Sequence, residues 1–355
     1  MRSPTPVIDV HTHYVPRGWP ELAEATGNSG PWPWLRVSDE RDAMLMVGDK
    51  EFRPLLSNAW NAHDRLEQMD ADGVDIQVVS PTPLFFSYAS EADEAIKVSE
   101  IFNDLALEIC EPDRSRLIPF AQVPLQDTDA ACRELDRCIE NGHRGVEIGN
   151  HVGDRDLDDE GIVTFLQHCA DRNMPVFVHP WDLPNSRRLD RWMAQWLVSM
   201  PAETHLSILS LILGGGFDRL PRSLRICFAH GGGSFPYWVG RMDNAWHGRP
   251  DLVAKSEHPP SHYLDRFSVD SVVFRDEALE LLVKTMGADR VMLGSDYPYP
   301  LGESPSGTLI RSSSFLTDDE RAALLGGNAL TFLGVVSADE LSRNTGATLA
   351  RESIY

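Results

Sequence analysis

Along this chain, short apolar runs rich in Val, Ile and Phe alternate with longer stretches in which apolar residues return every three or four positions. Eight runs read as strands: Val7–His11, Val74–Ser80, Leu117–Gln122, Gly145–Ile148, Pro175–His179, Arg225–His230, Phe267–Asp270 and Val291–Ser295. Most are apolar at consecutive positions, the pattern of strands buried on both faces of a parallel sheet. The helical period is carried by Ala59–Asp72, Glu91–Glu111, Asp127–Asn141, Asp159–Arg172, Arg191–Leu213 and Glu277–Met286.

This alternation predicts an α/β fold, a (β/α)8 TIM-like barrel, which needs ~250 residues and leaves about 100 of the 355 for insertions. One insertion is expected at about 14–58. There Trp32-Pro-Trp-Leu-Arg-Val37 and Met44-Leu-Met-Val-Gly-Asp-Lys-Glu-Phe-Arg53 read as a small β-ribbon over the barrel mouth. The Pro- and Asn-containing stretch from Trp181 to Arg191 reads as a second excursion, a βα loop. Residues 1–335 are expected to form a single domain, with 336–355 as a peripheral C-terminal extension.

In such a barrel the chemistry lies at the C-terminal ends of the strands. His11 and His13 close the first run, His179 the fifth, His230 the sixth, and Asp296 follows the eighth. Residues two apart on a strand share a face, so His11 and His13 can reach one ion. A lone terminal histidine is usually a satisfied polar group; five chemistry-bearing residues at one rim predict a metal centre. His11, His13, His179 and Asp296 offer imidazole nitrogen and carboxylate oxygen, donors suited to Zn²⁺ or a similar divalent transition metal. His230 is either a fifth ligand or a free base. The base is the preferred reading, since water activated by an ion needs a neighbour to take its proton. Strand four, with Glu147, contains no lysine able to bridge two ions, so one metal per subunit is expected.

Composition narrows the partners. A net charge of −22 repels nucleic-acid phosphates and anionic membrane surfaces alike. Cys110, Cys132, Cys138, Cys169 and Cys227 are odd in number and lack a C-x-x-C pair, which predicts free thiols in a reducing compartment. No secretory h-region or run of consecutive apolar residues suited to a membrane span is evident, so the expectation is a soluble, cytoplasmic protein. There is no G-x-S-x-G elbow, G-x-G-x-x-G or P-loop signature. The run Gly231-Gly-Gly233 is expected to let backbone pass close to the site, and Gly214-Gly-Gly216 to end a helix.

The chain resembles the amidohydrolase superfamily, and within it the family of α-amino-β-carboxymuconate-ε-semialdehyde decarboxylases of tryptophan catabolism, the kynurenine pathway. The resemblance runs roughly from Val7 to Gly334. It rests on Asp9-Val-His-Thr-His13, Trp19-Pro-Glu-Leu22, Phe86-Ser-Tyr88, His179-Pro-Trp-Asp182, Met200-Pro-Ala-Glu-Thr204, Cys227-Phe-Ala-His-Gly-Gly-Gly-Ser-Phe-Pro236 and Gly294-Ser-Asp-Tyr-Pro298. It implies a mononuclear zinc-dependent, non-oxidative carboxy-lyase, with His11, His13, His179 and Asp296 as zinc ligands and His230 as general acid/base. Asp296 thereby joins His230 in the catalytic pair. The resemblance further implies that Arg53 binds a substrate carboxylate, that Arg241 enters the neighbouring site of a homodimer, and that Trp196 lines the pocket. Read from the residues alone, Arg53 and Arg241 suit carboxylates but also ordinary surface ion pairs, and Trp196 suits the core equally well. Tyr299 stands where relatives usually carry Phe, so its hydroxyl is expected to bear on substrate choice. The alternative expectation is a metal-dependent hydrolase or hydratase of a small unsaturated or aromatic carboxylate, because the same activated water serves those reactions.

Overall fold

The computed structural model describes residues 5–184, 186–253, 255–337 and 340. Its first strand, β1 (Ile8–Tyr14), leads into an antiparallel sheet of β2 (Pro33–Val37), β3 (Asp42–Val47) and β4 (Lys50–Leu56). The chain then adds β5 (Ile76–Pro81), β6 (Leu117–Pro119) and β7 (Val146–Gly149), a short hairpin of β8 (His151–Val152) and β9 (Arg155–Asp156), and β10 (Val176–His179), β11 (Ile226–Phe228), β12 (Ser268–Asp270) and β13 (Val291–Met292). Parallel pairing runs β1-β5-β6 and β13-β12-β11-β10-β7. Two seams join these sheets. Ala121 bridges to Val146, with its N–H donating to Gly145 O at 2.9 Å, and Thr12 bridges to Tyr297, beside Val10 N–H to Leu293 O at 2.9 Å. The sheet therefore closes on itself as the predicted eight-stranded barrel.

Inward-facing Ile8, Val10, Ile76, Val78, Ile118, Phe120, Phe177, Cys227 and Met292 fill the barrel. The helix Asn328–Leu333 lays Ala329, Phe332 and Leu333 against this cluster. Gly145 makes the packing possible, because a Cβ there would sit 2.3 Å from the Phe120 ring. Outward-facing Val146, Ile148, Val176, Val178, Ile226 and Phe228 pack against surrounding helices through residues such as Leu166, Ile208 and Leu211. Each fully buried aliphatic or aromatic side chain contributes roughly 1.5–3 kcal/mol.

Local chemistry sets the helix ends. Asn61 caps Ala62–Asp72 by accepting from the His63 and Asp64 N–H groups, so the helix starts later than Ala59, the start the period predicts. The helix predicted from Arg191 becomes regular only at Met200, after a π-helical turn over Gln195–Ser199, with Pro201 in the first turn. It ends at Leu213, followed by Gly214 as expected. By length and composition Gln195–Leu213 is apolar enough to cross a membrane, but Ile208, Leu211 and Ile212 are buried against the barrel. The helix Phe235–Gly248 was hidden from the periodicity by Pro236 and Gly240. The ribbon has three strands where two segments were expected, because the run through Met44–Arg53 turns at Gly48 (φ 54°) and pairs Val47 with Lys50. Of the expected extension at 336–355, all but Val336, Ser337 and Glu340 lies outside the described residues.

Candidate active site and metal centre

The first histidine pair is aimed by an irregularity. Along β1 the register with β5 shifts from Asp9↔Gln77 to Thr12↔Val79, which places one extra residue in β1. Ile8 and Val10 face the barrel core, and the bulge resets the phase so that His11 and His13 face the same axis above them. The His11 ring lies 4.9 Å from Phe177, at the top of that core.

The five predicted residues converge. His11 Nε2 is 3.1 Å from His13 Nε2, and Asp296 Oδ1 lies 3.5 and 3.3 Å from these two atoms. One ligand atom each from His11, His179, His230 and Asp296 falls within 4.8 Å of the others. The rear nitrogens explain the front ones. His11 Nδ1 meets Asp270 Oδ2 at 2.6 Å, His13 Nδ1 meets Pro81 O at 3.2 Å, and His179 Nδ1 meets Pro180 O at 3.0 Å. All three partners are acceptors, so each Nδ1 carries the proton and each Nε2 presents a lone pair. Lone pairs directed at one another beside a carboxylate repel unless a cation joins them. The donor set therefore fits a divalent metal ion.

Electrostatics agree with that fit. Burial, against the pull of Asp296, pushes His13 down to about 4, and burial together with the other histidines holds His179 well below the ordinary imidazole value. Both are neutral and ready to ligate. Burial works to raise Asp296, but His13, His230 and His11 outweigh it and keep its carboxyl well below the usual range. The His11 and His13 side chains are fully enclosed, whereas those of Asp296 and His230 are 9% and 14% exposed, so the cluster opens on their side. Both ring nitrogens of His230 are buried without a hydrogen-bond partner, and Nε2 stands 3.9 Å from Asp296 Oδ2.

The remaining predicted residues are more scattered. Arg53, on β4, lies with its Cζ 4.1 Å from the centroid of the Tyr299 ring, which itself stands 5.3 Å from the His13 ring. Tyr299 hydroxyl is 2.6 Å from Thr82 Oγ1, which donates to Tyr14 O; the hydroxyl that sets this segment apart is thus engaged with Thr82. Trp196 packs 6.4 Å from Phe274. Arg241 is exposed on Phe235–Gly248, 6.0 Å from the Trp238 ring, and the structure places it in no contact with the histidine cluster of its own chain. The glycines after His230 serve packing: Gly231, Gly232 and Gly233 all have positive φ, and a Cβ on Gly233 would lie 2.2 Å from Pro201 O.

Sequence reasoning passed over three residues. Asp270 ends the seventh strand, and applying the strand-end criterion to every run would have found it. Glu147, 3.9 Å from His13 Nδ1, is fully buried with both oxygens unpartnered, and burial raises its carboxyl well above the usual range. Thr82 carried no signal, being one threonine in a Pro-rich segment.

With the barrel, its rim cluster and the ligand-like donor set in place, comparison with known proteins is decisive. The sequence profile of the amidohydrolase family matches residues 8–335. The chain belongs to the amidohydrolase family. It is 41% identical over 330 residues to a 2-amino-3-carboxymuconate-6-semialdehyde decarboxylase of Dictyostelium discoideum, covering 92% of this chain and 91% of the relative. A decarboxylase of the same name from Caenorhabditis elegans is 31% identical, with 92% and 94% covered. Among solved structures, 5-carboxyvanillate decarboxylase from Sphingomonas paucimobilis superposes with a TM-score of 0.79 at 22% identity, covering 93% of this chain and 99% of that one. A dihydroxybenzoic acid decarboxylase from Polaromonas sp. JS666, with bound manganese and 2-nitroresorcinol, gives 0.73 at 20% identity, with 93% and 97% covered. Within the amidohydrolase family the chain groups with decarboxylases.

Proposed function

We propose that this amidohydrolase decarboxylates 2-amino-3-carboxymuconate 6-semialdehyde, or a close carboxymuconate analogue, in tryptophan catabolism as a zinc-dependent, cytoplasmic homodimer. The observation that carries the site assignment is the convergence of the His11, His13 and His179 Nε2 lone pairs on Asp296, beside a His230 whose ring nitrogens are unpartnered. His11, His13, His179 and Asp296 would hold the ion, for which zinc matches the nitrogen-rich donor set. When bound, such an ion supplies Lewis acidity and lowers the pKa of water toward neutrality.

The chain's own groups account for the rest. Arg53, held over the Tyr299 ring, presents a planar fork to a substrate carboxylate and offsets the charge of a strongly acidic protein. The carbon–carbon bond to the departing carboxylate breaks, its electron pair stays on the conjugated skeleton, and a proton delivered from His230 Nε2 forms the new C–H bond. No electron is gained or lost overall, so no redox cofactor is needed. Trp196 would line the pocket.

Arg241 acts in the site of a second copy. On the same helix Tyr237 and Trp238 are exposed, apolar positions that suit a partner surface. The test is an anaerobic assay of zinc-loaded protein, following substrate absorbance together with released carbon dioxide. Metal-dependent loss of both is expected. Substrate loss without carbon dioxide would favour a hydrolase or hydratase on the same rim, and silence with metal bound would overturn the substrate.

A further inference from the structure

We propose that Asp270 is a positioning residue that ties the metal-binding edge of the site to its acid/base edge, by fixing the His11 tautomer and the His230 backbone with one carboxylate. The inference rests on the metal-centre reading above.

Asp270 is fully buried at the end of β12. Its Oδ2 accepts from His11 Nδ1 at 2.6 Å and from the His230 N–H at 3.0 Å. Its Oδ1 accepts from the Gly231 N–H at 2.8 Å and the Val272 N–H at 3.1 Å. A carboxylate has about four lone-pair directions. Here every one is used, and no proton is left to donate. His230 (φ 55°) and Gly231 (φ 62°) both adopt the left-handed conformation, which a non-glycine residue resists. The two backbone bonds to Asp270 hold the chain in that turn. Strand eight makes room for the arrangement, since a Cβ on Gly294 would stand 2.8 Å from Asp270 Cβ and 2.9 Å from His11 Cβ.

The consequence is a shared reference point. Displacing Oδ2 disturbs a proposed ligand and the proposed base in one movement. Asparagine exposes the coupling because it keeps the size and loses one acceptor. With its oxygen toward His11 and His230, its amide N–H groups face the Gly231 and Val272 donors. Turned over, its amide faces His11 Nδ1, which must then accept, and the histidine proton moves to Nε2, the atom that faces His13.

The experiment compares wild type, Asp270→Asn and Gly294→Ala. Zn²⁺ is titrated into each in competition with a chelator, kcat and KM are measured at saturating Zn²⁺, and histidine tautomers are read by ¹⁵N NMR on the metal-free proteins. Gly294→Ala keeps the carboxylate but pushes it from His11, so it carries the test if the asparagine variant does not fold. Asp127→Ala, which removes the N-cap of Thr128–Asn141 away from the site, controls for lost stability alone.

Expected are a 10–100-fold loss of Zn²⁺ affinity, the scale for groups that orient metal ligands, a lowered kcat that saturating metal does not restore, and a His11 signal moved from the Nδ1-protonated form. The Asp127 control should lose thermal stability only. Wild-type Zn²⁺ affinity or wild-type kcat in both site variants, whatever the His11 tautomer, would overturn the proposal. Failure of the wild-type protein to take up Zn²⁺ would instead refute the metal-centre reading beneath it.

Discussion

The histidine cluster and the groups proposed to recognise substrate are built by different means. His11, His13 and His179 stand within barrel strands, and His11 and His13 are fully enclosed with Nδ1 tied to an acceptor. Arg53 sits on the inserted ribbon, Trp196 in a π-helical turn, and Arg241 on an exposed helix face. Groups that must meet within a few tenths of an ångström are set by barrel closure, which admits little drift. Groups that choose among carboxylates are placed on insertions and outer helices, where replacement leaves the barrel intact.

The comparison predicts graded damage. Replacing His13 or Asp296 by Ala should have the largest effect, reducing metal retained after chelator challenge and turnover to background together. A variant that kept full metal content would remove that residue from the ligand set. Next comes His230→Ala, expected to leave metal bound while turnover falls by roughly 10²–10⁴-fold; full activity would eliminate it as acid/base. Arg53→Ala should act mainly on KM. Losing charge-assisted hydrogen bonds costs about 1.5–3 kcal/mol, or roughly 10–100-fold in kcat/KM. Mixing Arg53→Ala chains with Arg241→Ala chains should restore part of that loss, because one hybrid site would own both arginines. Proven subunit exchange without recovery would confine each site to one chain.

The same division governs what the sequence could disclose. The eight strands were visible because each is a local apolar run, and the five rim residues because they close or follow such runs. Arg53 was placed on the ribbon, yet its seat over Tyr299 depends on two segments far apart in the chain. Asp270 and Glu147 are legible only as strand residues; their neighbours, His11 and His13, are brought to them by closure of the barrel. The bulge that turns His11 inward leaves no compositional mark, since a strand with an extra residue reads like any other. Phe235–Gly248 escaped because Pro236 and Gly240 weaken the helical signal, although proline is well tolerated in a first turn.

The smallest predicted effect separates the ring of Tyr299 from its hydroxyl. In Tyr299→Phe the ring still lies beneath the Arg53 guanidinium, and Thr82 keeps its bond to Tyr14 O, so no buried donor is stranded. The cost is one hydrogen bond, about 1 kcal/mol of stability, and kcat/KM should change by no more than roughly fivefold, the same free energy expressed as a rate. Tyr299→Leu removes the aromatic face as well. The lost cation–π contact, about 0.5–2 kcal/mol, would loosen Arg53 and raise KM with little change in metal content. A Phe variant that instead switched substrate preference strongly would show that the hydroxyl meets the substrate directly, and Tyr299 would then belong with the closely fixed cluster rather than with the variable periphery.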